Sequence, residues 1–302
     1  MKLRLGTRGS ELARTQATTI ARCLEADGFE VELVIISTSG DQSTAPSFGA
    51  IGPQGVFVRE IEQALLDGAI DLAVHSYKDL PTESPAELSV AAVPQRVDVA
   101  DLLIAQPTAL GDDHGEWLKL APGARVGTAS ARRRVWLEHF RPDLEVTSLR
   151  GNVPTRLKRL EEGRYDAIML AAAGIERLAA GTLPGLSRMV VQRLDPQRFV
   201  PAPAQGALAL QCRGGHAVVV DALAKLDHPF SRQAVEAERA ALALAEGGCD
   251  TAFGAYCAGA DDAFSLIVML ERRGAIRTAR VRAVDSKQLA SLAFAELETG
   301  DD

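Results

Sequence analysis

The chain has 302 residues, of which 24% are charged and 47% hydrophobic, and its formal net charge is −7. This composition is typical of a globular protein and excludes a disordered tail, a collagen and a small disulfide-bonded scaffold. At this length we expect two or three domains. The longest apolar runs fall far short of the roughly 20 residues that span a bilayer. Because the N-terminus also lacks an apolar signal core, we expect a cytoplasmic protein with no membrane contact.

The first two-thirds of the chain alternate short apolar runs with amphipathic segments. This pattern predicts α/β layers with a mainly parallel sheet. Strands are predicted over residues 3–7, 31–38, 70–76, 88–93, 102–105, 125–128, 145–149, 166–170, 189–193 and 207–211. Helices are predicted over 10–26, 56–66, 131–140 and 153–160. The long polar loop at 40–55, rich in glycine and proline, is of a kind that often forms a lid.

The pattern changes after residue 211. Helices are predicted over 217–226, 231–245 and 286–297, and strands over 264–270 and 276–284. This arrangement predicts a small α+β domain at the C-terminus.

Two strand-to-helix turns in the first two-thirds of the chain are alike. Gly6-Thr7 ends one predicted strand and Gly127-Thr128 another, and in each case a serine, Ser10 or Ser130, can cap the following helix. Such turns present free N–H groups and the positive ends of helices, which suit bound anions. The similarity favours two related α/β lobes that face one cleft.

Four cysteines show neither a Cys-x-x-Cys pair nor zinc-ligand spacing with histidine, so we predict no metal site and no disulfide framework. Cys249 follows Gly247-Gly248 at the end of a long predicted helix, where a sharp turn would expose a nucleophile or an attachment point. A small buried apolar residue is the alternative for Cys249, and it is the expectation for Cys23, Cys212 and Cys257.

A polar segment follows the apolar strand that ends near residue 75. Ser76, Lys78 and Asp79 stand just before Pro81, and the end of a strand is a usual place for catalytic groups in α/β proteins. A solvated loop is the alternative.

Arginines dominate the positive charge of the chain, with 27 Arg against 6 Lys. The net charge argues against non-specific nucleic-acid binding, but residues 125–160 contain nine basic and three acidic residues. The run from Arg132 to Arg134 begins a predicted helix, where cations oppose the helix dipole unless an anion lies there. Further arginines follow other predicted strands: Arg8, Arg150, Arg156 and Arg177. Guanidinium groups bind carboxylates and phosphates two bonds at a time, so we expect a ligand with several such groups. The chain contains no Walker loop and no Gly-x-Gly-x-x-Gly after a strand, so a nucleotide is not indicated.

Nine segments, taken in chain order, form a recognisable set. They are Gly6-Thr7-Arg8-Gly9-Ser10, Thr38-Ser39-Gly40-Asp41, Gly55-Val56-Phe57-Val58, Ala73-Val74-His75-Ser76-Tyr77-Lys78-Asp79-Leu80-Pro81, Gly127-Thr128-Ala129-Ser130-Ala131-Arg132-Arg133, Leu149-Arg150-Gly151-Asn152-Val153-Pro154-Thr155-Arg156-Leu157, Ala204-Gln205-Gly206-Ala207, Glu238-Arg239 and Glu246-Gly247-Gly248-Cys249. Together these segments resemble the porphobilinogen deaminase (hydroxymethylbilane synthase) family.

The resemblance implies an α/β fold with two lobes like those of type II periplasmic binding proteins around a cleft, and a small α+β C-terminal domain. Residues 1–96 with about 200–216 would form the first lobe, 97–199 the second and 217–302 the third domain. The implied activity is that of a transferase of tetrapyrrole, porphyrin and heme biosynthesis. It joins four porphobilinogens head to tail, releases ammonia and yields hydroxymethylbilane. The implied enzyme is a cytoplasmic monomer that uses neither metal nor nucleotide.

The resemblance also implies roles for individual residues. Asp79 would be the catalytic carboxylate, and Cys249 would carry a dipyrromethane cofactor through a thioether. The implied cofactor-binding residues are Lys78, Ser76, Ser130, Arg132, Arg133, Arg150 and Arg156. The implied substrate-binding residues are Arg8, Ser10, Arg177 and Gln205.

Several segments depart from the family pattern. Pro53-Gln54-Gly55 replaces a loop that usually carries lysine, and Asp250 places a carboxylate beside Cys249. Residues 96–101 and 203–206 also differ from the usual motifs. Two alternatives therefore stand beside the enzyme: a non-catalytic module that binds a polyanion, and a low-activity paralogue.

Overall fold

The computed structural model describes residues 1–37, 58–111, 117–178, 183, 185–246, 252–260 and 262–299. The chain divides into two compact units. Met1–Val97 and Gly206–Gln233 form the first unit, and Asp98–Gln205 and Ala234–Asp302 form the second. The division into three domains inferred from the family resemblance stays a prediction.

A five-stranded sheet organises the first unit. Its strands are β1 (Lys2–Arg8), β2 (Glu30–Ile36), β3 (Leu72–Ser76), β4 (Leu88–Ala92) and β10 (Leu208–Arg213), and their order is β2-β1-β3-β10-β4. The helices are α1 (Glu11–Ala26), α2 (Arg59–Leu66) and α6 (Ala217–Ala224). Ile20 and Leu24 of α1 are buried in one cluster with Leu3 and Leu5 of β1, which fixes the helix on the sheet.

A second five-stranded sheet organises the second unit. Its strands are β5 (Asp101–Ala105), β6 (Arg125–Gly127), β7 (Glu145–Thr147), β8 (Ala167–Ala171) and β9 (Val190–Arg193), in the order β7-β6-β8-β5-β9. The helices that follow β6, β7 and β8 are α3 (Ala131–Phe140), α4 (Val153–Glu161) and α5 (Ala172–Leu178).

The two sheets share one pattern, in which four strands run in one direction, as expected for a mainly parallel sheet, and one strand opposes them. In the first unit β1 is parallel to β2 and β3, whereas β10 is antiparallel to β3 and β4. In the second unit β6 is parallel to β7 and β8, whereas β5 is antiparallel to β8 and β9. The strands β5 and β10 each follow a passage of the chain from one unit to the other. They do not arrive through a βαβ crossover, so the parallel direction that such a crossover imposes does not apply to them.

The C-terminal region confirms the predicted α+β composition and adds one strand. Its elements are α7 (Pro229–Glu246), β11 (Phe253–Ala260), β12 (Ala263–Arg272), β13 (Ala275–Ala283) and α8 (Leu289–Thr299), with an antiparallel sheet in the order β11-β12-β13. β11 was not predicted because its glycines and alanines have low strand propensity. β12 is buried on both faces: Leu266 and Val268 pack against α8, whereas Ile267 and Met269 join the core of the second unit's larger sheet.

Candidate functional site

One edge of the first unit collects several of the predicted site residues. Because β1 and β3 are parallel neighbours, their carboxyl ends lie at the same edge of the sheet. Arg8 ends β1, and Ser10 caps α1 by accepting a hydrogen bond from the Ala13 N–H at 3.3 Å. Ser76 ends β3 and accepts a hydrogen bond from Gln16 Nε2 of α1 at 3.1 Å. The structure therefore brings Arg8, Ser10 and Ser76 to one place.

Asp79 lies in a turn that is anchored at this same edge. The 3-10 turn Tyr77–Asp79 follows β3 directly. Tyr77 is buried and donates its N–H to the Ala207 carbonyl at 3.0 Å. Lys78 is half-buried, whereas Asp79 is exposed. The Asp79 carboxylate is thus presented to solvent on a backbone that the core holds in position.

The second unit has an equivalent edge. β6 is parallel to β7 and β8, so the residues that follow these three strands also meet at one side of their sheet. Ser130 caps α3 after β6 by accepting a hydrogen bond from the Arg133 N–H at 3.4 Å. The other predicted residues of this unit follow the same strands: Arg132 and Arg133 lie at the start of α3, Arg150 and Arg156 lie before and within α4, and Arg177 lies in the last turn of α5.

Arg132 and Arg133 are buried and share one carboxylate. Arg133 donates to Asp101 Oδ1 from Nε at 3.0 Å and from Nη2 at 2.7 Å, and Arg132 Nη1 lies 2.8 Å from Asp101 Oδ2. Burial opposes ionisation of Asp101, but the charges of the two arginines outweigh it and hold the pKa of Asp101 well below its usual range. We call Asp101, Arg132 and Arg133 the buried ion cluster. It supplies the anion that the cations at the start of α3 require.

Gln205 completes this cluster. Its side chain is 1% exposed, and Nε2 donates to Asp101 Oδ1 at 3.0 Å and to the Val99 carbonyl at 2.9 Å. The predicted substrate-binding glutamine therefore also holds the strand that carries Asp101.

The turn before α4 presents two further predicted arginines. Asn152 caps α4 by accepting a hydrogen bond from the Thr155 N–H at 2.9 Å. Arg156 Nε donates to the Gly151 carbonyl at 2.7 Å, and Arg159 Nη1 donates to the Arg150 carbonyl at 2.8 Å. Both carbonyl groups of the turn are thus bound by arginines of the helix, while the side chain of Arg150 is exposed.

Arg156 is the cation whose surroundings point most directly to a ligand. Burial lowers its pKa to about 10, and the nearby charges of Arg133 and Arg159 act in the same direction. Within the described residues no carboxylate pairs with Arg156. Burial likewise lowers the pKa of Arg177 to about 10, against the opposing effect of Glu176. An anionic ligand would compensate for the partial burial of the Arg156 charge.

Other predicted residues are placed as follows. Cys249, with Asp250, and the loop at 40–55 lie outside the described residues. Cys212 and Cys257 are buried as predicted, but Cys23 is exposed, because it faces away from the buried stripe of α1. In the part of the chain that the structure describes, no cluster of His, Cys, Asp and Glu suits a metal ion, and no helix is long and apolar enough to cross a membrane.

Two contributors to these edges were not recognised in the sequence. Gln16 lies in the middle of α1, where only its burial at 3% exposure distinguishes it from a surface glutamine. Asp101 was noted only as the last residue of a divergent segment. The sequence does carry a signal for Asp101, because this single acidic residue precedes the apolar run 102–105. A carboxylate in such a strand is buried and requires a partner of opposite charge.

Comparison with known proteins decides the family. A family model described as "Porphobilinogen deaminase, dipyromethane cofactor binding domain" matches residues 3–221. The chain belongs to the porphobilinogen deaminase family. It is 43% identical over 287 residues to the porphobilinogen deaminase of Roseiflexus castenholzii, covering 94% of this chain and 89% of that protein. It is 42% identical over 257 residues to that of Pelobacter propionicus, covering 84% and 79% of the two chains.

Among solved structures, the family member described here is similar to an ancestral cationic amino acid solute binding protein. The TM-score is 0.45 at 14% identity, and 74% of this chain and 87% of the other are covered. A second match is the periplasmic VFT2 domain of Bordetella pertussis BvgS, with a TM-score of 0.43 at 14% identity and coverage of 74% and 86%.

Proposed function

We propose that this chain is a transferase that condenses four porphobilinogen molecules head to tail into hydroxymethylbilane, primed by a covalently attached dipyrromethane. Membership of the family supports this reaction. The observation on the structure that carries the proposal is Arg156, a half-buried cation for which the described residues supply no carboxylate. Each porphobilinogen brings an acetate and a propionate, so the growing chain supplies the anions that such a cation requires.

The chemistry assigns a role to Asp79. In each cycle the C–N bond of the substrate aminomethyl group breaks, its electron pair leaves with nitrogen as ammonia, and a cationic azafulvene remains. A new C–C bond forms to the free α-carbon of the acceptor pyrrole, which then loses its proton. We infer that Asp79 stabilises the developing positive charge and accepts pyrrole N–H hydrogen bonds, because its carboxylate is exposed on an anchored turn. After four cycles, water releases the product.

The chemistry of these side chains suits a dipyrromethane, because cations and hydroxyl groups bind its carboxylates. When bound, this group supplies the nucleophilic pyrrole carbon that starts the chain. We propose Cys249 as its attachment point. The side chains proposed to bind the carboxylates of the cofactor and growing chain are Lys78, Ser76, Ser130, Arg132, Arg133, Arg150 and Arg156. Those proposed to bind incoming substrate are Arg8, Ser10, Arg177 and Gln205.

The mass of the intact protein tests the proposal. A loaded enzyme exceeds the 32.1 kDa polypeptide by two porphobilinogens less two ammonias, and Cys249→Ser lacks this surplus. A wild-type chain that stays at the polypeptide mass after incubation with porphobilinogen contradicts the proposal and is the result expected of a polyanion-binding module. A loaded chain that consumes no porphobilinogen identifies the low-activity paralogue.

Three finer points belong to the same proposal. The link to the cofactor is a thioether, the enzyme is a monomer, and it acts in the cytoplasm. We also propose the three domains inferred from the family resemblance, namely 1–96 with about 200–216, 97–199 and 217–302. Limited proteolysis tests the domain bounds, and sedimentation tests the monomer.

A further inference from the structure

The chain leaves the second unit after Gln205 and continues into the first unit. We call the last residues before this point, 200–205, the crossing segment. α3 binds the start of this segment. The Val200 carbonyl accepts hydrogen bonds from Arg132 Nη1 at 2.8 Å and from Trp136 Nε1 at 2.9 Å. The helix that begins with the buried ion cluster is therefore tied to the crossing segment.

β11 of the C-terminal sheet binds the same segment from another direction. Ala255 donates its N–H to the Pro201 carbonyl at 3.0 Å. The approach is so close that a Cβ on Gly254 would lie 2.8 Å from the Val200 carbonyl oxygen. Only a glycine fits at that distance from a backbone oxygen, so strand and segment are in fixed contact.

Glu238 of α7 joins these parts with one carboxylate. The residue is fully buried. Its Oε2 accepts a hydrogen bond from the Ala204 N–H, and its Oε1 accepts one from the Cys257 N–H of β11, both at 2.7 Å. Short bonds from N–H groups to a charged acceptor are the strong class of hydrogen bond, and a buried carboxylate requires them.

The bond to Ala204 holds a backbone conformation that alanine does not favour. Ala204 has a φ of 60°, in the left-handed region. That conformation costs on the order of 1 kcal/mol for a residue other than glycine, so surrounding contacts must maintain it. The next residue is Gln205, whose side chain binds Asp101 of the buried ion cluster. A continuous chain of contacts therefore runs from α7 and β11 to the two arginines.

We infer that Glu238 is a positioning residue for the proposed reaction. By holding two N–H groups it fixes the crossing segment, and through Gln205 it fixes the orientation of the buried ion cluster. The same carboxylate ties α7 to β11, the two elements that flank Cys249 in the sequence. This inference rests on the proposed function, in which Arg132 and Arg133 bind carboxylates of the growing chain.

Glu238→Gln tests the inference. An amide of the same shape accepts at its oxygen but sets its NH₂ group against a backbone N–H, so one of the two bonds is lost. We expect slower covalent loading and a kcat/KM for porphobilinogen lower by about tenfold, the usual size of effect along a coupled network. The matched control is Glu62→Gln, which changes a buried glutamate of the first unit that accepts a hydrogen bond from Gln211 Nε2 at 2.8 Å.

A mutant cycle separates positioning from stability. If Glu238 acts through the cluster, Glu238→Gln and Arg133→Lys combine non-additively in kcat/KM, whereas Glu238→Gln and Arg8→Lys, in different units, combine additively. Glu238→Asp keeps the charge with a shorter reach and is expected to fall between wild type and Glu238→Gln. It also carries the test if Glu238→Gln does not fold.

Two outcomes overturn the inference. The first is a loss of activity in Glu238→Gln that is no larger than the loss in Glu62→Gln, with both measured well below their melting temperatures. If Glu238→Gln does not fold, Glu238→Asp takes its place in this comparison. The second is additivity with Arg133→Lys. If the wild-type protein gains the cofactor mass and consumes porphobilinogen, either result overturns only the role of Glu238 and leaves the proposed function standing. A wild-type chain that gains no mass with porphobilinogen overturns both.

Discussion

Arg133 directs two donors at a single oxygen of Asp101, with Nε at 3.0 Å and Nη2 at 2.7 Å. Both side chains are buried, and the other oxygen of the carboxylate lies 2.8 Å from Arg132 Nη1. Three buried charged groups are stable only as a set, because each compensates for the desolvation of the others. Asp101 therefore stabilises the charges of Arg132 and Arg133 at the start of α3.

Asp101→Asn is expected to lower the free energy of unfolding by about 3–5 kcal/mol, because it leaves two buried guanidinium groups without a counter-charge. Urea denaturation measures the change. Glu32→Gln is the control: it removes one partner of the exposed pair with Lys2, 3.0 Å apart, and should have a much smaller effect because exposed ion pairs contribute little to stability. A loss in Asp101→Asn as small as the control's would show that the cluster does not stabilise the unit.

His75 makes stability depend on pH. Its ring is buried, and Nε2 lies 3.0 Å from Gln211 Oε1, which can only accept, while Gln211 Nε2 donates to Glu62 Oε1 at 2.8 Å. Burial lowers the pKa of His75 to about 4 from its ordinary 6.5, despite that hydrogen bond. Between these two values the unfolded chain binds more protons than the folded one, so stability falls as the pH is lowered from about 6.5 to 4.

The shift corresponds to about 3 kcal/mol across that window. His75→Gln should flatten the pH dependence of the unfolding free energy by that amount. His139→Gln, at an exposed histidine of α3, is the control for removal of an imidazole. Equal slopes in wild type and His75→Gln would contradict a neutral buried His75.

Asp79→Asn is expected to reduce condensation of porphobilinogen by roughly a hundredfold or more. It removes the negative charge aimed at the developing cation, and losses of this size follow removal of one electrostatic group. The melting temperature should not change, because the side chain is exposed. Glu83→Gln, a nearby exposed carboxylate, is the control and should keep wild-type turnover. Near-normal turnover in Asp79→Asn would remove Asp79 from the mechanism.

Arg156→Leu is expected to impair cofactor loading and chain elongation, because it removes the half-buried cation for which the described residues supply no carboxylate. Mass spectra of the protein with porphobilinogen should show fewer bound pyrroles, and KM should rise about tenfold, as for loss of a charge-assisted hydrogen bond. Arg164→Leu removes an exposed arginine that pairs with Glu162 at 2.8 Å, and should leave both readouts unchanged. Identical mass distributions in the two variants would count against a carboxylate-binding role.

Local pattern in the sequence determined most of the elements, and the resemblance of short motifs determined the family. Apolar periodicity and the capping residues Ser10 and Ser130 placed strands and helices close to their observed bounds, because both signals act between neighbours in the chain. The same reasoning placed Asp79 and the arginines after strand ends. It failed at β11, where small residues carry little strand signal. It also did not identify β5 and β10 as the strands that oppose their neighbours, because strand direction depends on how the chain enters the sheet.

Only the tertiary structure decided which of these groups act together. Asp101 and Arg133 are 32 residues apart, and Ala204 and Glu238 are 34 apart. No periodicity reports such a pairing, since it depends on burial in a common low-dielectric interior, where an unpaired charge or N–H group is too costly to leave alone. The sequence therefore specified the charges of the site, and the fold divided them between an exposed carboxylate, a cation that fits an anionic ligand and a buried cluster in which two guanidinium groups share one carboxylate.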